Sequence, residues 1–364
     1  MKVTVKPEEL KKKLGLVLGI SEKSSAMPIL SHLLLSAGKE KSTITATDLT
    51  ITVREPLEVV VASEGAICVP ARKLSEIVRE ADQDITLETD ETWLKIHYGR
   101  SKFKLACLPA QGFPEWPDIK GEGMITFTGA LLVSLIERTI FSAGENDNRY
   151  TLNGLLFHFI PDKKQLAVVA TDGHRMSLAC QESLLEGSER KVIIPRKAAA
   201  EIRKFIQPDS SITCTVGVNH ALFKIGEVDF LARLIEGAFP AYDQVVPMGN
   251  DKKIVVSREA FIKALRKTTT MASEGTRQVA VEVAGASMVV SSKSADIGEG
   301  TDEIEVEYGG DSFRAGFNAK YLLDAAAAFD TDKITLSMGT PLSPALITNN
   351  GDRNFLCVVM PMKL

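Results

Sequence analysis

The sequence has 364 residues, of which 45% are hydrophobic, a proportion that is ordinary for globular domains with apolar cores. Its net charge of −4 at pH 7 argues against a protein that coats nucleic acid with its whole surface. Neither a run of about 18 apolar residues nor an apolar amino-terminal leader occurs, so we expect no membrane contact and no secretion signal.

The first third of the chain combines two predicted helices with many predicted strands. One helix begins at Pro7, with glutamates in its first turn, and another begins near Ala71. The predicted strands are Thr43–Asp48, Ile51–Val61, Ile85–Glu88, Trp93–Tyr98 and Lys102–Leu108. A turn at Gly99 and Arg100 joins the last two in a hairpin. So many strands with so few helices between them indicate antiparallel sheets, and therefore an α+β fold.

The same pair of helices recurs twice further along the chain. In the middle third the hydrophobic spacing predicts helices over 129–141 and 195–206, the second with Pro195 as its first residue. In the last third it predicts helices over 257–268 and 318–329. Ser257 and Asn318 are the residue types expected at their N-caps.

Three landmarks repeat in the same order at a spacing of about 125 residues, which predicts a repeated domain. They are Thr47-Asp48, Pro70-Ala71-Arg72 and Phe113-Pro114 in the first copy, and Thr171-Asp172, Pro195-Arg196 and Phe239-Pro240 in the second. A third copy is more diverged, with Asn318-Ala319-Lys320 at the helix start. Because this period is too long for a solenoid repeat, we expect three domains, at 1–121, 122–248 and 249–364.

Basic residues concentrate on the six predicted helices, which carry 16 basic and 8 acidic residues while the whole chain is acidic. On any one helix this is the ordinary pattern of a solvated face. Its recurrence favours one basic surface that holds a polyanion. Twelve helices spaced about 8–10 Å apart would close a circle about 38 Å across, so two copies of the chain could surround a DNA duplex.

The most enzyme-like segment is Thr171-Asp172-Gly173-His174-Arg175. Asp-Gly between two apolar runs predicts a hairpin turn, either a plain one or one with a surface binding role. An acid/base or metal pair of Asp172 and His174 is the alternative, which would make the protein a His174-dependent DNA-modifying enzyme. The matching turn after Thr47 has no histidine, so we expect no catalytic residues.

The cysteines and the end of the sequence carry two further signals. The five cysteines have no CxxC spacing and predict a reducing, cytoplasmic environment without metal or cofactor. They are Cys68, Cys107, Cys180, Cys214 and Cys357. The segment 357–364 is apolar and rich in methionine, a composition suited to adaptable peptide binding. A peptide-binding adaptor that never touches DNA is therefore a second alternative.

Five motifs together are highly specific: Arg149–Gly154, Ala170–Arg175, Val192–Lys197, Phe239–Tyr242 and Val358–Leu364. Through them the chain resembles the bacterial sliding clamps, the β subunits of the DNA polymerase III holoenzyme. The resemblance implies three clamp modules of two helices and antiparallel sheet that form half of a ring. It also implies a non-catalytic homodimer that encircles duplex DNA without sequence preference. The expected protein partners are the DNA polymerase III α subunit, the clamp loader δ subunit and other clamp-motif proteins.

The residue patterns and the resemblance together predict three sets of functional residues, of which the resemblance implies the first. A peptide pocket between the second and third modules would comprise Leu152, Thr171, Gly173, His174, Arg175, Met176, Pro240, Val245, Val358, Met360, Pro361 and Met362. Phosphate contacts to DNA would come from Lys23, Arg72, Lys73, Arg149, Arg196 and Lys197. Phe103, Thr270 and Met271 are expected at the dimer interface, where open sheet edges of two copies would meet.

Overall fold

The computed structural model describes residues 1–21, 26–117, 119, 124–182, 188–350 and 354–364, so Lys23 lies outside the described residues. The described chain forms two compact units. The first unit consists of Met1–Leu131 and Lys197–Leu234. The second unit consists of Leu132–Arg196 and Ile235–Leu364. The chain therefore leaves the first unit and returns to it once.

Six α-helices lie where the apolar spacing predicts them. They are α1 (Pro7–Val17), α2 (Ala71–Arg79), α3 (Gly129–Glu137), α4 (Arg196–Ile202), α5 (Arg258–Thr269) and α6 (Ala319–Ala327). Both predicted N-caps are confirmed: Ser257 Oγ accepts from the Ala260 amide at 3.4 Å, and Asn318 Oδ1 accepts from the Lys320 amide at 2.9 Å. Pro195 was predicted inside a helix, but it ends the preceding strand opposite Gly154, and α4 begins one residue later.

The strands make up most of the molecule. In chain order they are β1 (Lys2–Val5), β2 (His32–Ala37), β3 (Ser42–Thr47), β4 (Ile51–Pro56), β5 (Val59–Ser63), β6 (Gly65–Pro70), β7 (Ile85–Asp90), β8 (Trp93–Tyr98), β9 (Ser101–Ala106), β10 (Leu108–Pro109), β11 (Met124–Thr128), β12 (Gly154–Ile160), β13 (Gln165–Thr171), β14 (Arg175–Glu182), β15 (Arg190–Pro195), β16 (Ser211–Val216), β17 (His220–Ile225), β18 (Val228–Arg233), β19 (Lys252–Ser257), β20 (Gln278–Ala284), β21 (Ser287–Ser294), β22 (Gly298–Glu307), β23 (Phe313–Asn318), β24 (Lys333–Met338), β25 (Ala345–Thr348) and β26 (Phe355–Val359).

The first unit contains two antiparallel sheets. One has five strands in the order β5-β1-β7-β8-β9, and the other has nine in the order β10-β6-β2-β3-β4-β18-β17-β16-β11. The predicted hairpin at Gly99 is confirmed, with Tyr98 opposite Ser101. The predicted single strand Ile51–Val61 is wrong: it is two strands, β4 and β5, in different sheets, and the residues after Pro56 make the crossing.

The second unit is built on one sheet of twelve antiparallel strands, in the order β15-β12-β13-β14-β26-β25-β24-β19-β22-β21-β20-β23. Its centre joins strands from the second and third repeats, because Met176 on β14 lies opposite Val358 on β26. The second repeat also sends β16 to β18 to the first unit, where β18 pairs with β4 of the first repeat. Sheets that continue from one repeat to the next explain why the compact units do not follow the repeat.

Packing in both units confirms the α+β expectation. On α1, Leu10, Leu14 and Val17 are fully buried. On α5, Phe261 and Leu265 are fully buried. Within the described ranges, no helix is long and apolar enough to cross a membrane.

Candidate functional site

A cavity of about 220 Å³ opens on the second unit, where the β13–β14 turn meets the end of β26 and the segment that precedes β19. Its floor is apolar, since Met176 and Val358 are both 1% exposed. Its lining consists of Arg149, Leu152, Thr171, Gly173, Arg175, Met176, Pro240, Tyr242, Val245, Val358 and Met360. We call this cavity the main pocket.

The main pocket brings together nine of the twelve residues predicted for a peptide site. The other three, His174, Pro361 and Met362, do not line it. The ring of His174 stacks on Tyr321 with the centroids 6.5 Å apart. The Met362 amide donates to the carbonyl of Gly316 at 2.8 Å, so the end of the chain runs along β23 instead of into the cavity. Arg149 and Tyr242 line the pocket without having been predicted there.

The turn at Thr171–Arg175 is held by its own polar groups. Asp172 Oδ1 accepts from the amides of His174 and Arg175 at 2.9 and 3.0 Å, and Asp172 Oδ2 accepts from Arg175 Nε at 2.9 Å. Gly173 has a φ of +84°, which favours glycine. This confirms the predicted hairpin turn. Because both oxygens of Asp172 serve the turn and its arginine, the geometry does not favour an acid/base pair with His174.

Arg175 forms the rigid polar wall of the main pocket. Its Nη1 donates to Asp324 Oδ2 at 2.6 Å, and its guanidinium lies 4.4 Å from the ring centroid of Tyr321. The side chain is only 10% exposed. An arginine paired with carboxylates and stacked on an aromatic ring loses little further freedom when a ligand binds beside it.

Arg149 is the second arginine in the lining of the main pocket. Its Nε and Nη2 donate to the two carboxylate oxygens of Asp147 at 3.0 and 2.8 Å, and Nη2 also donates to the Asp172 carbonyl. These hydrogen bonds lower the pKa of Asp147 to about 2. The guanidinium packs so closely on Gly173 that an added Cβ would lie 2.7 Å from Nη1. Arg149 and Gly173 therefore shape the rim together.

Tyr242 is held in the wall by a buried histidine. Tyr242 Oη lies 2.7 Å from His158 Nδ1, and His158 Nε2 lies 2.6 Å from Glu189 Oε1. Burial raises the pKa of Tyr242 to about 12, so its hydroxyl stays protonated at neutral pH. The hydrogen bond from His158 lowers the pKa of Glu189. Since an ionised carboxylate only accepts, a neutral His158 carries its proton on Nε2 and accepts at Nδ1 from Tyr242.

Four of the basic residues predicted to contact DNA, Arg72, Lys73, Arg196 and Lys197, lie at helix starts, and three of them are ion-paired. Lys73 on α2 pairs with Glu76, and Arg72 beside it is exposed. Arg196 pairs with Glu145 at 2.9 Å. Lys197 pairs with Asp48 at 2.5 Å. The pairs of Lys73 and Arg196 lie at the surface and are weak enough to be exchanged for phosphate contacts, whereas the Asp48 side chain is only 6% exposed.

The residues predicted for the dimer interface lie beside two strands that have unpaired edges within the described chain, β9 and β22. Phe103 is 37% exposed on β9, the last strand of its sheet, and stacks on Tyr98 at 5.6 Å. Thr270 and Met271 are not on a strand edge as expected, since they follow the end of α5. Met271 packs against Gly300 of β22. Among the described residues, β22 pairs with β21 along its length and with β19 at Val306 and Glu307, which leaves the rest of its second edge open.

The described residues include no group of three or more histidine, cysteine or acidic side chains able to hold a metal ion. None of the five cysteines, all within the described ranges, forms a disulfide.

The chain matches three family models in succession. They describe the N-terminal, central and C-terminal domains of the DNA polymerase III beta subunit and match residues 1–117, 126–241 and 243–363. Among curated proteins, the chain is 34% identical to the beta sliding clamp of Pseudomonas putida and 33% identical to that of Caulobacter vibrioides, each over the full length of both chains. A crystal structure of the Pseudomonas aeruginosa sliding clamp bound to griselimycin superposes with a TM-score of 0.95 at 31% identity, again over both full chains.

Proposed function

Because this chain belongs to the family of the DNA polymerase III β subunit, we propose that its main pocket is the place where it holds partner proteins. The protein is a DNA sliding clamp, a non-catalytic processivity factor that forms a dimeric ring around duplex DNA and tethers the replicative polymerase.

The observation that supports the pocket is the meeting of two distant chain segments around one apolar floor. Met176 and Val358 form the floor, and half-exposed Val245 and Met360 leave room for a ligand. Polar groups of Thr171 and Arg175 stand at the rim and orient a short peptide. Burying two or three peptide side chains contributes about 1.5–3 kcal/mol each before ordering costs. The upper end of this range, about 9 kcal/mol, corresponds to a dissociation constant near micromolar once a small ordering cost is subtracted.

DNA is contacted through phosphates by the helix residues Arg72, Lys73, Arg196 and Lys197, with Lys23 and Arg149 as further contacts. Among the described members, Arg72 is exposed, and Lys73, Arg149 and Lys197 keep about half of their side-chain surface exposed although each pairs with a carboxylate. Phosphate contacts carry no base information, so binding is independent of sequence. Arg149 also lines the main pocket, and we propose a second role for it there.

Dimerisation uses two different open edges, β9 on one copy and β22 on the other. Unpaired strand edges favour pairing, and a contact between two different surfaces closes when the rotation between copies allows it. Phe103 would contribute an exposed side chain to the β9 edge. Met271 would contribute to the β22 edge, because it packs against Gly300 on that strand.

The domain and cellular assignments complete the proposal. We assign the chain to three modules, 1–121, 122–248 and 249–364, which the repeat spacing and the three successive family matches support. We place the protein in the cytoplasm, where DNA is replicated and where unpaired thiols persist.

The test of the function is topological. The protein is loaded by its clamp loader onto a nicked circular plasmid, the complex is isolated, and the plasmid is cut once with a restriction enzyme. We expect the labelled protein to stay on the circle and to slide off the linear DNA. Equal retention on both forms would indicate ordinary binding to the DNA surface, and no association with the circle would favour an adaptor that does not encircle DNA.

A further inference from the structure

A second cavity, of about 300 Å³, lies on the same sheet as the main pocket. Leu346, Ser337 and Thr348 form part of its floor, and Val246 and Met248 form part of its wall. The two cavities meet at one wall, because Val245 lines the main pocket and the next residue, Val246, lines the second cavity. We call this second cavity the side pocket.

One row of side chains runs under both cavities. Thr171 lies opposite Met176, and Met176 lies opposite Val358, all within the main pocket. Val358 in turn lies opposite Leu346, the first residue of the row in the side pocket.

The same row continues to the far end of the side pocket. Leu346 lies opposite Ser337, and Ser337 lies opposite Lys253. Directly opposed residues of neighbouring strands project from the same face of a sheet, so the row forms one continuous floor.

Charge and exposure indicate what the side pocket accepts. Lys253 is exposed at the end of the row and forms no ion pair with any part of the described chain. Its neighbour Lys252, on the other face of the strand, pairs with Asp251 at 3.2 Å. Met248 is 81% exposed, although it borders this cavity. Val246, Met248 and Leu346 give this cavity an apolar part, and Lys253 gives it a cation at one end. That combination suits an apolar side chain followed by a carboxylate.

We propose that the side pocket is an accessory subsite for the same partner peptide that occupies the main pocket. This inference rests on the proposed function of the main pocket and extends it to the residues that flank the core motif. The two pockets form one continuous surface, which is why we assign them one ligand. Lys253 stands three strand spacings from Val358, about 14 Å, a distance that about four residues of extended peptide can span. The flank therefore carries an apolar residue two or three positions from the core and an acidic residue about four positions from it.

The test compares labelled peptides by fluorescence anisotropy. The first peptide contains only a Gln- and Leu-containing core. The second carries Gly-Leu-Gly-Asp after the core, and the third carries Asp-Gly-Leu-Gly before it, so that the aspartate lies four positions from the core in both. We expect one of the extended peptides to bind about tenfold more tightly than the core, a change of about 1.4 kcal/mol. Lys253→Glu should return that peptide to the affinity of the core peptide. The matched control Lys252→Glu, on the opposite face, should leave the gain intact.

The outcomes separate this inference from the function on which it rests. If the core peptide does not bind the unmodified protein, the assignment of the main pocket fails. If the core binds but neither extension adds affinity, or if the gain survives Lys253→Glu, the accessory subsite is rejected. Core affinity should be the same in all three proteins, which also shows that the variants are folded.

Discussion

Met176 and Val358 face each other across two paired strands, although one belongs to the second repeat of the sequence and the other to the third. Both are almost fully buried, and both form the floor of the main pocket. The pocket therefore exists only when the last strand of the third repeat has joined the sheet of the second. Binding of a partner and the folding of this part of the sheet are consequently linked.

Gly173 provides a test of the pocket rim. Gly173→Ala should weaken peptide binding, because the residue has a positive φ and the new Cβ would push against Arg149. Gly285→Ala is the matched control, since Gly285 also has a positive φ, +57°, but has no neighbour within 4 Å of an added Cβ. We expect both variants to lose about 1 kcal/mol of stability, and only Gly173→Ala to lose affinity. Equal affinity in the two variants would remove Gly173 from the site.

Because the Glu55 carboxylate is buried, we expect its contribution to the free energy of unfolding to fall as the pH rises. This carboxylate on β4 is 2% exposed, burial raises its pKa, and Lys13 Nζ is 3.6 Å away, longer than a hydrogen bond. A raised pKa in the folded state means that the contribution of Glu55 to stability is present below its unfolded pKa. That contribution is lost as the pH rises through the folded pKa.

Glu55→Gln should therefore gain stability relative to the unmodified protein as the pH is raised from about 4 to 8. Denaturant unfolding at a series of pH values measures this difference. Glu58→Gln is the matched control for the substitution, since Glu58 is an exposed glutamate close to Glu55 in the chain. A difference for Glu55→Gln that falls as the pH rises would show that the ion pair with Lys13 outweighs the cost of burial.

The dimer interface is tested by placing charge on both proposed edges. Phe103→Glu together with Met271→Glu should convert the dimer to a monomer, because each puts a carboxylate where apolar contact is expected. Light scattering at several concentrations gives the mass. Val60→Glu, at a 73% exposed position on the strand at the other side of the five-stranded sheet, should stay dimeric. A double variant with undiminished dimer mass would reject this interface.

Local sequence signals predicted the helices well but could not predict how strands from different repeats pair. Helix starts carry proline or a capping residue, as at Pro7, Ser257 and Asn318, so their positions follow from neighbouring residues. The pairing of β18 with β4 joins residues far apart in the chain, and no local pattern encodes it. Ile51–Val61 looked like one strand because its apolar residues continue past Pro56.

The lining of the main pocket shows the same limit. The family motifs predicted nine of its residues. The sequence pattern did not indicate the hydrogen bond between His158 and Tyr242, since a single histidine in an apolar strand is usually structural. Met362 was grouped with Met360 because both lie in one apolar segment. The backbone turns the two apart, and Met362 joins Gly316 while Met360 lines the cavity.

This separation of two nearby methionines allows the most direct test of the central claim, that the main pocket binds partner peptides. A labelled Gln- and Leu-containing peptide is titrated against the unmodified protein, Met360→Ala and Met362→Ala. We expect micromolar binding to the unmodified protein and to Met362→Ala, and binding about tenfold weaker to Met360→Ala, because only that residue loses apolar contact with the peptide. Equal affinity of Met360→Ala and the unmodified protein, or a loss confined to Met362→Ala, would contradict the account.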